Sequence, residues 1–256
     1  MIHLIDSTGS AFFIENTAQE FWALAGGVPS LPCDMQTVIT LALPLEIYPV
    51  PGLHVSHVLA WARRVKIAHR IRGRDRRLHG CLLSDRDKGT IFFDASDSNA
   101  EQQFTLAHEL AHFLLDYQIP RQRAVAALGV SILPVLNGER APTLEERLHA
   151  VLSSVSLGVM SHVMERPDEG LPANFVIDIE NRADRLALEL LAPAGSLYTM
   201  MQQAIAPKGF EARLAFLTRM LTQEYGLLEV IASSYARYLL TQLGEPTFRD
   251  WLFGHS

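Results

Sequence analysis

Cysteine is scarce in this chain, and its distribution excludes two kinds of site. Among 256 residues there are two cysteines, Cys33 and Cys81, and they form no C-x-x-C pair. The sequence therefore offers neither a disulfide framework nor a cluster of thiolate metal ligands, and it fits a reducing compartment. We interpret both cysteines as small buried residues, with a reactive role as the less favoured alternative.

A secretory signal and a long apolar run are also absent. The N-terminus has no basic start followed by an apolar core and a cleavage site. The weakly polar runs are too short or too interrupted to span about 30 Å of hydrocarbon. The composition is 48% apolar and 20% charged, with a formal charge of -6. We therefore expect a folded, soluble, cytoplasmic protein with no membrane partner and no global attraction to nucleic acid.

Repeats and low-complexity tracts are missing as well, and the remaining pattern predicts an α+β fold with a small sheet and many helices. The segments "RLHGCLLSD" and "GTIFFDA" predict an antiparallel hairpin. A capping-box pattern at Ser98 and Glu101 predicts a helix over about 99–117. A second such pattern, at Thr143 and Glu146, opens "LEERLHAVLSSVSLGVMSHVM", which we interpret as helical.

Shorter elements are predicted around these segments. Helices are expected within 16–27, 33–43 and 54–71, and a short strand hemmed by prolines within 44–50. The region 196–245 is predicted to be mostly helical.

The segment "TLAHELAHFLLD", Thr105 to Asp116, carries the strongest chemical signal. It contains the pattern H-E-x-x-H, with His108, Glu109 and His112. A four-residue step on an α-helix advances about 400°, so both imidazoles face one side and can bind one ion. Glu109 lies about 100° away from His108, beside such an ion, where it suits a general base. The alternative is a buried helix whose histidines bond to carbonyl groups.

A catalytic zinc site needs a third protein ligand and an open position. Our candidate is Glu180 in the segment "ENRAD". Asp184 lies one helical turn further on, where its carboxylate can orient a liganding histidine. The alternative is a solvated helix face.

These segments resemble the ImmA/IrrE family of metallo-endopeptidases. The resemblance is carried by the hairpin that runs into "FTLAHELAH" and by "ENRADRLALELLAP", which is similar to the family's E-x-x-A-N-x-F-A-x-x-L-L-x-P helix. It implies one Zn²⁺ per chain, held by His108, His112 and Glu180, with Glu109 as the catalytic base. Asp184 replaces the usual asparagine, as in the E-x-x-x-D helix of thermolysin-like enzymes.

The resemblance also implies a domain organisation. We expect a helical extension at 1–39, a zincin-like, mainly helical metallopeptidase domain with a small β-sheet at 40–195, and C-terminal helices packed on it at 196–256. The connection between His112 and Glu180 is long for the family, so we expect extra helices within about 120–172.

Other residues have weaker assignments. His162 and Tyr117 are candidate oxyanion donors, although a structural role is favoured for each. Asp116 is interpreted as a helix-end residue rather than as a partner of His112. The backbone of "GTIFFDA" is a candidate edge for pairing with an extended substrate.

A basic cluster reverses the charge locally. Between Arg63 and Arg77 there are eight arginines or lysines against one acid, Asp75. These side chains could meet phosphates or an acidic partner, but no aromatic platform accompanies them, so a solvated surface is the favoured interpretation. The candidate contacts are Arg70, Arg72, Arg74, Arg76 and Arg77.

The function that we expect is a zinc-dependent endopeptidase that makes limited cuts in a regulatory protein. The resemblance implies a helix-turn-helix repressor as the substrate, and thus a role in transcription regulation under stress. The alternative is a non-catalytic, metal-stabilised module that sequesters a repressor or DNA. A glutamate beside the ligands favours the enzyme, because a structural site needs no base.

Overall fold

The structure of the protein is a computed structural model that describes residues 3–28, 30–166, 182–203 and 209–243. The chain forms two compact units. One contains the described residues 34–166, and the other contains the described residues on either side of that range. Within the described ranges, no helix combines the length and the apolar character that crossing a bilayer requires.

Helices make up most of the described chain. The helices are His3–Leu24 (α1), Met35–Ala42 (α2), Val55–Arg64 (α3), Asn99–His112 (α4), Ile119–Leu128 (α5), Leu133–Leu136 (α6), Leu144–Leu152 (α7), Arg182–Leu191 (α8), Ala194–Gln203 (α9), Phe210–Gln223 (α10) and Glu229–Gln242 (α11). The strands are Leu45–Val50 (β1), Leu78–Asp85 (β2), Lys88–Asp94 (β3) and Met160–Glu165 (β4). A π-helical turn, Phe113–Gln118, joins α4 to α5, and a 3₁₀ turn, Val130–Ile132, precedes α6. The α+β class predicted from the sequence is confirmed.

The four strands form one mixed sheet in the order β1-β3-β2-β4. Strand β1 runs parallel to β3, whereas β2 runs antiparallel to both β3 and β4. Strands β2 and β3 form the predicted hairpin, closed by Arg86 and Asp87. The interior position of β3 corrects one prediction: both of its edges are paired, so its backbone is not available to a substrate strand.

The local sequence explains where helix α4 begins. The Ser98 side chain accepts a hydrogen bond from the Glu101 backbone N–H, and the Glu101 carboxylate accepts one from the Ser98 backbone N–H. This reciprocal arrangement satisfies two donors that a helix start would otherwise leave unpaired. Helix α7 begins in the same way, with Thr143 and Glu146. Both predicted capping boxes are therefore present.

Helix α7 ends much earlier than predicted, and a strand takes its place. The helix was expected to continue through Met164, but it stops at Leu152. Ser154 and Gly158 then adopt positive φ angles, which a helix cannot accommodate. Residues of the expected helix from Met160 onwards pair with β2 instead. The region 120–172 thus contributes a strand to the sheet as well as the extra helices that were expected.

Two helix lengths also differ from the prediction. Helix α1 spans His3–Leu24, far longer than the short helix expected within 16–27. Helix α3 stops at Arg64, so the basic segment that follows it is irregular rather than helical.

The sheet of the 34–166 unit is covered on both faces. Helix α4 packs on one face against β2 and β3. On the other face, buried residues of α3 such as Val55 and Val58 form an apolar cluster with Cys81 and Leu83 of β2. Side chains alternate between faces along a strand, so residues next to these in β2 point towards α4.

The other unit is described separately. Within it, α1 packs against α8, and α10 packs against α11. Helix α8 therefore lies in a unit that also contains the N-terminal helix. The predicted boundaries 1–39, 40–195 and 196–256 stay a prediction.

Candidate metal centre

Three histidines from two elements meet beside helix α4. His108 and His112 lie one turn apart on α4, and His162 lies on β4. One ring nitrogen of each lies within 4.8 Å of the others. The ring centroids of His112 and His162 are 3.5 Å apart, and those of His108 and His112 are 4.7 Å apart. The structure therefore brings together the two predicted helix ligands and one predicted oxyanion donor.

The spacing of the two helix histidines fits a metal ion. Their Nε2 atoms are 3.2 Å apart. Two nitrogens at about 2.05 Å from one tetrahedral zinc ion lie roughly 3.3 Å apart. Imidazole nitrogen is also a preferred zinc ligand. Both the donor chemistry and the spacing in this structure thus suit zinc.

Asp116 holds His112 in orientation, contrary to its predicted role as a helix-end residue. The helix does not end at this point but continues through the π-helical turn Phe113–Gln118. Within that turn the Asp116 carboxylate accepts a hydrogen bond of 2.6 Å from Nδ1 of His112. With the N–H on Nδ1, the lone pair of His112 is on Nε2, the atom that faces His108.

Glu109 is buried beside the histidines. Its side chain has no exposed surface, and its Oε2 atom lies 3.0 Å from Nδ1 of His162. Its Oε1 atom is also buried and has no hydrogen-bond partner among the described residues. A buried carboxylate oxygen without a partner is costly unless a water or an ion completes it. The arrangement suits a base that accepts a proton from a water molecule.

The charge state of Glu109 is set by two opposing effects. Burial by itself would raise the pKa of this carboxyl. The hydrogen bond and charge of His162, with smaller contributions from His108 and His112, outweigh burial and hold the pKa of Glu109 below its ordinary value. The carboxylate is therefore ionised at neutral pH, as a general base requires.

Gly80 allows the helix to approach the sheet at this point. A Cβ atom at Gly80 would lie 2.4 Å from Cγ2 of Thr105 and 3.2 Å from Oε1 of Glu109. The pairing of β2 with β4 also shifts register between Leu78 and Gly80. Sequence analysis did not single out Gly80, although a glycine inside a predicted strand is itself a signal of close backbone approach.

His162 reaches the site from an element that the sequence did not predict. It was expected on a helix, but it lies on β4, opposite Leu82 of β2. Its neighbour Val163 packs into the apolar cluster on the other face of the sheet. Because side chains alternate along a strand, His162 points towards α4.

The other predicted site residues are placed as follows. Glu180 lies outside the described residues, so its role as a zinc ligand stays a prediction. Asp184 is buried in the first turn of α8, and its role beside a ligand also stays a prediction. The Tyr117 hydroxyl donates a hydrogen bond to the carbonyl of Arg86 in the hairpin turn. This contact agrees with the structural role that was favoured for Tyr117, and its candidacy as an oxyanion donor stays a prediction.

The basic cluster divides into paired and exposed residues. Arg76 forms an ion pair of 2.5 Å with Glu165, and Arg77 lies 3.6 Å from Asp94. Arg70 and Arg72 are exposed, and with Arg76 they line an open groove of about 490 Å³. Ion pairing explains two of the five candidate contacts. Contacts of Arg70, Arg72 and Arg74 with phosphate or with an acidic partner protein stay a prediction.

A second group of potential metal ligands lies nearby, and its carboxylates already form ion pairs or hydrogen bonds with other residues. The potential ligand atoms of His79, Asp97 and Glu101 lie within 4.8 Å of one another. Asp97 forms an ion pair with Arg166 and a hydrogen bond of 2.8 Å with His79. Glu101 forms the capping box of α4. These contacts account for the group as a structural network.

The fold and the site define a class: a zincin-like α+β domain with two histidines and a glutamate on one helix. Comparison with known families agrees, because residues 68–129 match Peptidase_M78, the IrrE N-terminal-like domain. The matched range spans β2, β3 and α4. The predicted resemblance to the ImmA/IrrE family is confirmed for this part of the chain. Searches of curated proteins and of solved structures returned no significant match.

Proposed function

We propose that the protein is a zinc-dependent endopeptidase that makes limited cuts in a regulatory protein. The observation that carries this proposal is the arrangement around Glu109. Its buried Oε1 has no hydrogen-bond partner among the described residues, and the cluster with His108 and His112 lies beside it. The family match supports a metallopeptidase-type domain.

Helix α4 supplies two candidate metal ligands and the candidate general base. His108 and His112 would hold the ion, which when bound lowers the pKa of a water molecule towards about 7 and polarises a carbonyl group. Glu109 would accept, on its Oε1 atom, a proton from the attacking water molecule. It would later donate that proton to the leaving amine. Burial of the carboxylate keeps bulk water from competing for that proton.

The substrate that the family resemblance implies is a helix-turn-helix repressor. A protein that cuts a repressor needs only limited activity at one exposed segment. We therefore expect one or a few cuts rather than general degradation. The basic residues Arg70 and Arg72 would bind an acidic segment of the protein substrate. A contact with DNA is the less favoured alternative.

The test combines metal analysis with cleavage. Wild-type protein should contain one zinc per chain and cut a helix-turn-helix repressor, sought first among the products of neighbouring genes, at a site mapped by the new N-terminus. The Glu109→Gln variant should keep its zinc and lose cleavage by about 10³-fold or more, because the base is removed and the ligands remain. Equal cleavage by both proteins would contradict the mechanism.

A second control separates the enzyme from a binding module. The His108→Ala, His112→Ala double variant should lose both zinc and cleavage. If the Glu109→Gln variant still relieves repression in cells as well as wild type does, the protein acts by sequestration and the non-catalytic alternative is correct.

A further inference from the structure

We propose that the unit of the chain outside 34–166 contains a binding site for a small organic ammonium ion, in a cavity between helices α1, α8, α9 and α11. The cavity has a volume of about 160 Å³, and its described lining belongs entirely to that unit. A cavity of roughly 150 Å³ can hold a molecule the size of benzene. The proposal is independent of the peptidase function, because it concerns neither helix α4 nor the residues around it.

Three tyrosines form the aromatic part of the cavity wall: Tyr198 on α9, and Tyr235 and Tyr238 on α11. The rings of Tyr235 and Tyr238 are nearly parallel, with an angle of 15° between their planes and 6.4 Å between their centroids. The Tyr235 hydroxyl donates a hydrogen bond of 3.1 Å to the carbonyl of Ala192, which holds that ring in place. The faces of aromatic rings attract cations, and groups of such rings recognise ammonium ligands.

Two carboxylates give the cavity negative charge. Glu15 on α1 and Glu189 on α8 both line it. Glu189 accepts a hydrogen bond of 3.1 Å from the backbone N–H of Ala194, but neither carboxylate forms an ion pair with a described residue. Burial and the neighbouring charge of Glu15 raise the pKa of the Glu189 carboxyl. A cation from outside the chain would relieve this unfavourable environment, since an opposite charge stabilises a partly buried carboxylate.

Arg185 is the one cationic side chain in the described lining, and it contacts a ring. It precedes Glu189 by one turn of α8, a spacing at which an ion pair can form. Instead, its guanidinium carbon lies 5.9 Å from the centre of the Tyr238 ring. The tyrosine wall therefore already attracts a cation of the chain itself. Two carboxylates against one guanidinium leave the lining with a net negative charge.

The rest of the lining includes buried apolar side chains, among them Ile14, Leu188 and Leu239. Such a surface suits the methyl or alkyl groups on a nitrogen atom. It disfavours a strongly hydrated inorganic cation, because the water lost on binding would not be replaced by polar groups. The ligand class that fits both parts of the cavity is therefore an alkylated ammonium ion rather than a metal ion.

The test compares three probes of nearly the same shape and different charge. Choline is positive, 3,3-dimethyl-1-butanol is neutral and 3,3-dimethylbutanoate is negative. Full-length protein is titrated with each probe at low ionic strength, and binding is measured by isothermal titration calorimetry. The proposal predicts that choline binds at least about tenfold more tightly than the alcohol, and that the butanoate binds most weakly.

Variants locate the bound probe. Glu189→Gln, which keeps an acceptor for the N–H of Ala194, and Tyr198→Leu, which removes a ring, should each weaken choline binding by about fivefold or more. Tyr198→Phe keeps the ring and should stay within about threefold of wild type. Arg185→Gln should bind choline more tightly, because a competing positive charge is removed. Glu20→Gln, an exposed position on α1, is the matched control and should leave binding unchanged. Circular dichroism and thermal unfolding establish that each variant folds.

Other results overturn the proposal. Equal binding of choline and the alcohol would show an apolar cavity without a preference for charge. Tightest binding of the butanoate would assign the cavity to an anion held by Arg185. The absence of saturable binding by all three probes would mean that the cavity is a packing void.

A last outcome concerns the location of the site. If choline binds to Glu189→Gln and Tyr198→Leu as it does to wild type, it binds elsewhere and the proposal fails. None of these results bears on the proposed peptidase function, which is tested by zinc content and by Glu109→Gln.

Discussion

The Nδ1 atom of His112 lies 2.6 Å from Oδ2 of Asp116, one turn further along the same continuous helix. Asp116 lies within the π-helical turn that follows the H-E-x-x-H segment. Such turns are frequent at functional sites. This contact fixes the tautomer of His112 and presents its Nε2 atom to His108, and it leads to a first prediction.

Replacing Asp116 by asparagine should weaken zinc binding by about 10- to 100-fold, because the orienting carboxylate of His112 is lost. The affinity is measured by chelator competition on metal-free protein. Glu145→Gln, an exposed acid on α7, is the matched control and should leave the affinity unchanged. An Asp116→Asn protein with full zinc affinity would show that the carboxylate has no orienting role.

Replacing Gly80 by alanine should damage both stability and catalysis. The new methyl group would meet Thr105 at 2.4 Å and Glu109 at 3.2 Å, so α4 must shift away from the sheet. We expect a loss of about 1–3 kcal/mol in the free energy of unfolding, measured with urea, and a lower kcat.

The control for Gly80 is Gly195→Ala. At Gly195 a Cβ atom would have no neighbour within 4 Å, and alanine favours the helix in which it lies. This variant should be neutral or slightly stabilised. If Gly80→Ala behaves in the same way, the close approach of α4 to β2 is not needed.

The two cysteines should resist labelling in the folded protein. Cys33 and Cys81 are both buried, and burial raises the pKa of the Cys81 thiol well above its ordinary value. The reactive thiolate is therefore scarce at pH 8. A thiol reagent should label the protein only after urea is added.

Single-cysteine variants extend this measurement. Cys33→Ser leaves Cys81 to report on the 34–166 unit, and Cys81→Ser leaves Cys33 to report on the other unit. Rapid labelling of either variant in native buffer would mean that the corresponding thiol is exposed or that its unit opens readily.

Asp94 should contribute stability that depends on pH. Burial alone would raise its pKa, but hydrogen bonds from the backbone N–H groups of Ser96 and Gly52 and the charge of Arg166 lower the pKa below its ordinary value. The stabilisation is therefore present above about pH 4 and is lost as the pH falls through the folded-state pKa.

The variant that tests this is Asp94→Asn. It should lose about 1–3 kcal/mol at pH 7, and its difference from wild type should shrink below about pH 4. Urea unfolding between pH 7 and pH 3 measures both effects, with Asp87→Asn in the exposed hairpin turn as the control. A difference that does not change with pH would exclude the carboxylate charge as the cause.

Local patterns predicted much of the 34–166 unit correctly. The hairpin and the two capping boxes depend on residues close together in the sequence, so short-range rules suffice for them. The prediction for 160–165 was wrong because an apolar segment can form a helix or a strand. Pairing with the edge of β2, a long-range contact, decided between them.

The residues of the candidate site also differ in whether local sequence or long-range contacts place them. His108, Glu109 and His112 are related by helix geometry, so their common face follows from the sequence by itself. The partnership of Asp116 with His112 is also local, but the helix-end role was favoured over it because the helix was expected to end near Tyr117. The neighbourhood of His162 was not accessible from the sequence, since it depends on which strand joins the sheet and which face the residue occupies.

The sequence by itself determined that this protein carries a two-histidine, one-glutamate helix of the ImmA/IrrE type, because the helical period fixes angles between residues a few positions apart. Only the tertiary structure decided what surrounds that helix. The absence of a side chain at Gly80 allows the sheet to approach Glu109 closely, and the pairing of β4 with β2 places His162 beside helix α4. Both relationships depend on packing and strand register between segments distant in the chain, which no local pattern specifies.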